Sequence, residues 1–85
     1  MGVIITYDVP HSHTELKKRM IAKGYSKTVT GQYTYNLPNT TLYKQIDEPS
    51  DAIKDLKDSA SGLVEIERAI AVKTDKYYAI VGQEL

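Results

Sequence analysis

The order in which hydrophobic patterns follow one another constrains the fold of this 85-residue chain more than any other feature. Residues 2–9 contain a short run of β-branched apolar residues that stops at Pro10. Such a run is typical of a strand in the middle of a sheet, and proline cannot continue the hydrogen-bond ladder. The chain has no cysteine, so neither a disulfide framework nor a thiolate metal site can stabilise it. We therefore expect one small core, in a single domain over residues 1–85.

A helix is predicted next, over residues 13–23. Its apolar side chains recur at helical spacing and form a narrow stripe of Leu16, Met20 and Ile21. Ser12 and Glu15 have the spacing of a capping box at the helix start. Gly24 is well suited to end the helix, because glycine tolerates the left-handed conformation there.

Two alternating segments follow this helix. Residues 27–37 alternate between two faces, with Gly31 inside the run, and residues 40–46 alternate again. Pro38-Asn39 separates them and is a turn signal. The pattern predicts two strands joined as a hairpin.

The second half repeats the order of helix and strand. Ser50 is a candidate N-cap for a helix that ends at Gly62, with an apolar stripe of Ile53, Leu56 and Ala60. Residues 63–72 predict a strand whose apolar face is interrupted by Arg68, and residues 76–82 predict a last short strand. The complete order indicates an α+β, ferredoxin-like βαββαβ fold with an extra C-terminal strand. Two helices are expected to cover one face of the antiparallel sheet.

Asp8 is the first candidate site residue because it ends the apolar first strand. A carboxylate in this setting is costly to desolvate unless it is paired or bound to a cation. Mg²⁺ favours sites with one or two carboxylates and several waters, and a dimer would bring two copies of Asp8 together. The alternative is that Asp8 caps a turn before Pro10.

His11 and His13 follow closely and allow either a metal site or a general base. The alternative is two exposed loop histidines beside a helix start.

A basic cluster in the first helix region is the second candidate site. Five cations lie between residues 16 and 27 without an acid: Lys17, Lys18, Arg19, Lys23 and Lys27. Such a face can contact phosphates, and Lys17, Lys18, Arg19 and Lys27 are the predicted nucleic-acid-binding residues. The alternatives are a solvated helix face, or self-association with the acidic stretch 47–67.

The tyrosines Tyr33, Tyr35 and Tyr43 lie on the predicted strands. An exposed aromatic face can stack nucleic-acid bases. Core packing in place of the absent phenylalanine is the alternative for Tyr33 and Tyr35.

The strand end Tyr7-Asp8-Val9, the junction Gly24-Tyr25 and the segment Gly31-Gln32-Tyr33 stand in an order that resembles a known superfamily. This layout is similar to the CRISPR-associated second Cas protein and to virulence-associated protein D. The resemblance implies a homodimer of ferredoxin-like domains, with Asp8 binding Mg²⁺ for phosphodiester cleavage of RNA or DNA. Lys27 and Thr30-Gly31-Gln32 stand where these families often carry an arginine-rich strand with a serine before its aromatic residues, so the sequence departs from the family pattern there.

Two functions are therefore expected from the sequence. The first is a small metal-dependent endoribonuclease-like protein that acts as a homodimer, with Asp8 as catalytic residue and metal ligand. The second is a non-catalytic dimeric binding or assembly module, such as one from a mobile element. The longest apolar run near the N-terminus, at residues 3–5, is too short for a leader core or a spanning helix, so we expect a cytoplasmic protein without membrane contact.

Overall fold

Seven regular elements occur in the computed structural model, which describes residues 2–30 and 34–74. In chain order they are β1 (Gly2–Asp8), α1 (His13–Ala22), β2 (Thr28–Thr30), β3 (Thr34–Asn36), β4 (Thr41–Lys44), α2 (Pro49–Ala60) and β5 (Arg68–Thr74). Among these residues, no helix is long and apolar enough to cross a membrane.

A three-stranded antiparallel sheet forms the centre of the molecule. β1 lies between β4 and β5, and Ile4 stands opposite Tyr43 on one side and Val72 on the other. A separate ribbon pairs β2 with β3, and a bridge between Ser26 and Tyr43 joins the start of this ribbon to β4. The result is a small α+β structure that is compatible with a ferredoxin-like fold.

Alternate residues of β1 build the core. Val3, Ile5 and Tyr7 are almost completely buried, because successive side chains of a strand point to opposite faces and these three meet the helices. The helices contribute buried Leu16, Met20, Ala52, Leu56 and Ala60. Each large apolar side chain buried in this way contributes about 1.5–3 kcal/mol. Both helices therefore cover one face of the sheet, as the sequence predicts.

The two ends of α1 differ in how well the sequence predicted them. Ser12 has a left-handed backbone, with φ 63°, and its side chain makes no capping hydrogen bond, so the predicted capping box is wrong. A serine caps a helix through its side chain from an extended backbone, which this residue does not have. At the other end Gly24 has φ 99°, its amide donates to Ile21 and the amide of Tyr25 donates to Met20. This Schellman motif confirms the predicted role of Gly24.

α2 begins before the predicted residue. Glu48 is the N-cap, with no side-chain capping bond, and Pro49 is the first helical residue, so the prediction of Ser50 as N-cap is wrong. Proline suits this position because its fixed φ is helical and its missing amide hydrogen has no partner there anyway. Gly62 follows the helix with φ 74°.

The predicted strand over residues 27–37 is divided in two. β2 pairs with β3, with Thr30 opposite Thr34, so the hairpin lies inside this segment instead of around Pro38-Asn39. β4 pairs with β1 instead, where its buried Leu42 reaches the core. The strand predicted over residues 63–72 begins only at Arg68, and the strand predicted over residues 76–82 lies outside the described residues.

Candidate functional site

The sheet face opposite the helices carries the candidate site. Directly paired residues of neighbouring strands point to the same side, so the ladder identifies this face without ambiguity. We call it the open face, and it consists of Ile4, Thr6, Asp8, Thr41, Tyr43, Arg68, Ile70 and Val72. Its three rows are Tyr43–Ile4–Val72, Thr41–Thr6–Ile70 and, at one end, Asp8–Arg68.

Apolar side chains on β5 are exposed on this face. Ile70 is 62% exposed and Val72 is 46% exposed, beside the half-buried Ile4. In the part of the chain that the structure describes, Ile21 on α1 is the remaining exposed large hydrophobic residue. Single exposed apolar side chains are common on protein surfaces, but two neighbours on the same face of one strand form an apolar patch.

Tyr43 lies flat along the open face. Its ring covers Gly2, the residue diagonally opposite on β1, and a Cβ atom at Gly2 would collide with the ring. Glycine at this position is therefore a steric requirement for the position of Tyr43. The Thr6 and Thr41 hydroxyls, 2.8 Å apart, share a hydrogen bond in the next row.

Asp8 lies at the end of β1, where the sequence predicts it, and its carboxylate is bound by a cation from the protein itself. The Nε–H group of Arg68 donates to Oδ2 of Asp8. The amide of Glu67 donates to the backbone oxygen of Asp8 at 2.9 Å, which closes the ladder beside this ion pair. The Asp8 side chain is 47% exposed and that of Arg68 is 82% exposed. The hydrogen bond to Asp8 raises the pKa of Arg68, so the guanidinium is always charged.

A shallow pocket of about 270 Å³ adjoins this ion pair. Residues 6–8 of β1 and residues 68–70 of β5 line it. It is the part of the open face that has both charge and apolar surface.

The described residues of one protomer do not provide the ligands of a magnesium site at Asp8. Mg²⁺ requires octahedral oxygen coordination and is usually bound through one or two carboxylates together with substrate phosphates. The described residues contain no group of three or more histidine, cysteine, aspartate or glutamate side chains that could hold a metal ion. The single carboxylate here already has Arg68 as its partner. Residues 2–30 and 34–74 of one protomer therefore do not fit the metal that the resemblance implies.

His11 and His13 are exposed, as the simpler interpretation of the sequence expects. Nδ1 of His11 lies 2.8 Å from the Ser12 hydroxyl, and His13 is the first residue of α1. Neither histidine joins Asp8 in a metal-binding group in the described residues.

The four predicted phosphate-binding residues divide into two pairs. Lys17 donates to the side-chain oxygen of Asn39 at 2.8 Å, and Arg19 donates to the carbonyl oxygen of Ser59 at 3.0 Å. These two cations therefore connect α1 to other elements. Lys18 and Lys27 are exposed. The Asp8 side chain and α1 lie on opposite sides of the sheet, so the structure does not bring Lys18 and Asp8 together on one face.

Of the three tyrosines that could stack nucleic-acid bases, the structure describes the side chain of one. Tyr43 is on the open face, Tyr33 lies outside the described residues, and the side chain of Tyr35 is also outside them.

Two contacts were not predicted from the sequence. The first is the pairing of Arg68 with Asp8, although the interruption of an apolar strand by one arginine was a visible signal. The second joins the segment that follows α1 to β4 and α2: the Tyr25 hydroxyl donates to Oδ2 of Asp55 at 2.9 Å, and Nζ of Lys44 lies 4.0 Å from the same oxygen. Burial and the Asp55 carboxylate raise the pKa of Tyr25.

Comparisons with known proteins found no matching family model, no matching curated protein and no matching solved structure.

Proposed function

We propose that this chain is a ferredoxin-like module that forms a homodimer through the open face of its sheet. The observation that carries the proposal is the exposure of Ile70 and Val72 on a sheet face that neither described helix covers. The ferredoxin-like assignment is supported by the spatial order of Ser26, β4, β1 and β5, in which every described pair is antiparallel. The final strand over residues 76–82 and the cytoplasmic location remain predictions.

The charge of the open face favours a second copy of the chain over a nucleic acid. Its two charged residues, Asp8 and Arg68, neutralise each other. A nucleic-acid surface needs uncompensated cations along the phosphate path, and the exposed Lys18 is on α1, in the other layer. The formal net charge of +0 also means that two copies do not repel each other at long range.

The size of the face predicts a weak dimer. Seven residues at about 3.4 Å and three strands at about 4.8 Å give a face of roughly 24 by 14 Å. This is smaller than the roughly 800 Å² per partner of a standard interface. We therefore expect a dissociation constant in the micromolar range.

Sedimentation equilibrium across roughly 5–500 µM protein tests this proposal, with Ile70→Lys as the disrupting variant. Full burial of an isoleucine contributes about 1.5–3 kcal/mol, so the 62% exposure leaves roughly 1–2 kcal/mol per protomer to be gained on association. Two symmetric copies double this amount, and we expect dissociation to become roughly 30-fold easier or more.

Ile21→Lys is the matched control, because Ile21 is also an exposed isoleucine, at 42%, but lies on α1. It should associate like the unchanged chain. A monomer at every concentration, or an equal effect of both variants, would contradict dimerisation through the open face.

A magnesium-dependent nuclease that cleaves RNA or DNA is the second candidate, and one observation favours it. Asp8 is half-exposed at the end of β1 and lies on the open face, so a symmetric dimer through this face places two copies of Asp8 in one interface. Asp8 would then be the catalytic residue and metal ligand, with Lys27, which is exposed and lies outside α1, as the predicted cation for phosphate.

Labelled RNA and DNA, incubated with Mg²⁺ or Mn²⁺, test this candidate. The unchanged chain should cleave and Asp8→Ala should not. Equal activity of the two proteins, or no activity in either, would exclude the nuclease.

A further inference from the structure

We propose that Arg68 acts as a built-in cation that competes with divalent cations for Asp8. The guanidinium occupies one of the two carboxylate oxygens that Asp8 could offer to a metal ion, and its positive charge opposes a second cation there. This inference concerns one protomer, so it goes beyond the proposed dimer and does not depend on it.

The backbone holds the two charges together. Asp8 and Arg68 are the last directly paired residues of β1 and β5, and the hydrogen bond from Glu67 to Asp8 continues the ladder past them. Seven consecutive pairs fix the register of the two strands. A shift by one residue would turn the apolar side chains of β1 out of the core. The backbone positions of Arg68 and Asp8 therefore stay directly opposite each other for as long as the sheet is folded, which keeps the guanidinium within reach of the carboxylate.

Removal of the guanidinium would leave an acidic strand end. The Glu67 carboxylate is close enough to act electrostatically on Arg68, and Glu65 precedes it in the chain. Without Arg68, the half-exposed Asp8 carboxylate would lose the cation that binds it in the part of the chain that the structure describes. Carboxylate oxygens are ligands for Mg²⁺ and Mn²⁺, so the neutral variant Arg68→Gln should gain affinity for these ions.

Direct Mn²⁺ binding tests the inference without any nucleic acid. The measurement is the loss of the free Mn²⁺ signal in electron paramagnetic resonance, at low ionic strength. Arg68→Gln should bind Mn²⁺ roughly fivefold more tightly than the unchanged chain, the factor that corresponds to a strong exposed ion pair. Lys54→Gln is the matched control, because it removes the same charge from an exposed position on α2.

Two further variants test whether the gain in Mn²⁺ affinity depends on the Asp8 carboxylate and the Arg68 guanidinium. Asp8→Asn combined with Arg68→Gln should abolish the gain, because the carboxylate that Mn²⁺ would use is then absent. Arg68→Lys keeps the charge but not the planar hydrogen-bonding group, and it should fall between the unchanged chain and Arg68→Gln. Circular dichroism at each step verifies that the variant is folded, and Arg68→Lys provides the comparison should Arg68→Gln not fold.

The inference is overturned by either of two results. In the first, Arg68→Gln binds Mn²⁺ no more tightly than Lys54→Gln or, should Arg68→Gln not fold, Arg68→Lys binds Mn²⁺ no more tightly than the unchanged chain. In the second, the gain survives the loss of the Asp8 carboxylate. Sedimentation equilibrium tests separately whether the chain forms a dimer, and neither Mn²⁺ result depends on the outcome of that test.

Discussion

The contact between Tyr25 and Asp55 makes a quantitative prediction about stability. Tyr25 is 3% exposed, its hydroxyl donates to Oδ2 of Asp55 at 2.9 Å, and Nζ of Lys44 lies 5.2 Å from the centre of the ring. A hydrogen bond to a charged group contributes about 1.5–3 kcal/mol. We therefore expect Tyr25→Phe to lower the free energy of unfolding by about this amount at pH 8.

The pH dependence of this difference has a definite sign. Burial first, and then the Asp55 carboxylate, raise the pKa of Tyr25 in the folded chain. The unfolded tyrosine loses its proton near pH 10 while the folded one keeps it, so the unfolded state binds fewer protons and stability falls as the pH rises. The contribution of Tyr25 is complete below pH 10 and is lost as the pH rises through the folded pKa. The loss is about 1.4 kcal/mol for each pH unit above the unfolded value.

Urea unfolding followed by circular dichroism at pH 8 and pH 11 measures this effect. The stability difference between the unchanged chain and Tyr25→Phe should shrink by roughly 1.4 kcal/mol at the higher pH. The raised pKa of the buried Tyr7 affects both proteins alike, so its effect cancels in the difference. A difference that is equal at the two pH values would refute the role of Asp55 and burial in holding this proton.

Three more outcomes follow from single contacts. Tyr7→Phe should raise the free energy of unfolding by about 1 kcal/mol in urea titrations, because the buried Tyr7 hydroxyl has no hydrogen-bond partner among the described residues; a loss of stability would contradict this. Gly2→Ala should destabilise the chain by roughly 1–3 kcal/mol, since its Cβ displaces the Tyr43 ring, and an unchanged melting curve would disprove this packing. Arg19→Ala should cost about 1 kcal/mol in the same titration through the lost bond to the Ser59 carbonyl, whereas Lys18→Ala should have almost no effect.

Periodicity was sufficient to predict the helices and most of the core. Leu16 and Met20 repeat at one turn of α1 and are buried, and Leu56 is buried on α2. The prediction was wrong for Ile21, which is 42% exposed. A stripe of residues four apart covers only a narrow arc of a helix, and Ile21 falls beside that arc.

The pairing of strands could not be read from alternation. Alternating threonine and tyrosine residues over 27–37 fit one long strand as well as two short ones, because both have a period of two. The choice between these arrangements depends on which strand pairs with β4. Leu42 is completely buried when β4 pairs with β1, and this long-range packing determines the topology.

Only one of the two residues of the ion pair could be predicted from the sequence, for a related reason. Asp8 is found where the apolar run ends, which is a local signal. Its partner Arg68 is 60 residues away, and only the register of β1 against β5 unites them. A single sequence contains no direct record of this register, although a cation that interrupts an apolar strand indicates a need for a partner.

The two candidate functions make opposite demands on Arg68, and this provides a way to distinguish them. A nuclease needs the Asp8 carboxylate for a metal, so association would have to move Arg68 away from it. A structural dimer leaves the ion pair of each protomer intact, and the Mn²⁺ affinity of the unchanged chain should then be the same at low and high protein concentration. We expect this constancy, because the β1–β5 ladder that holds the pair lies within one protomer. An affinity for Mn²⁺ that rises with the fraction of dimer, and that disappears in Asp8→Asn, would show instead that the interface displaces Arg68 and would favour the nuclease.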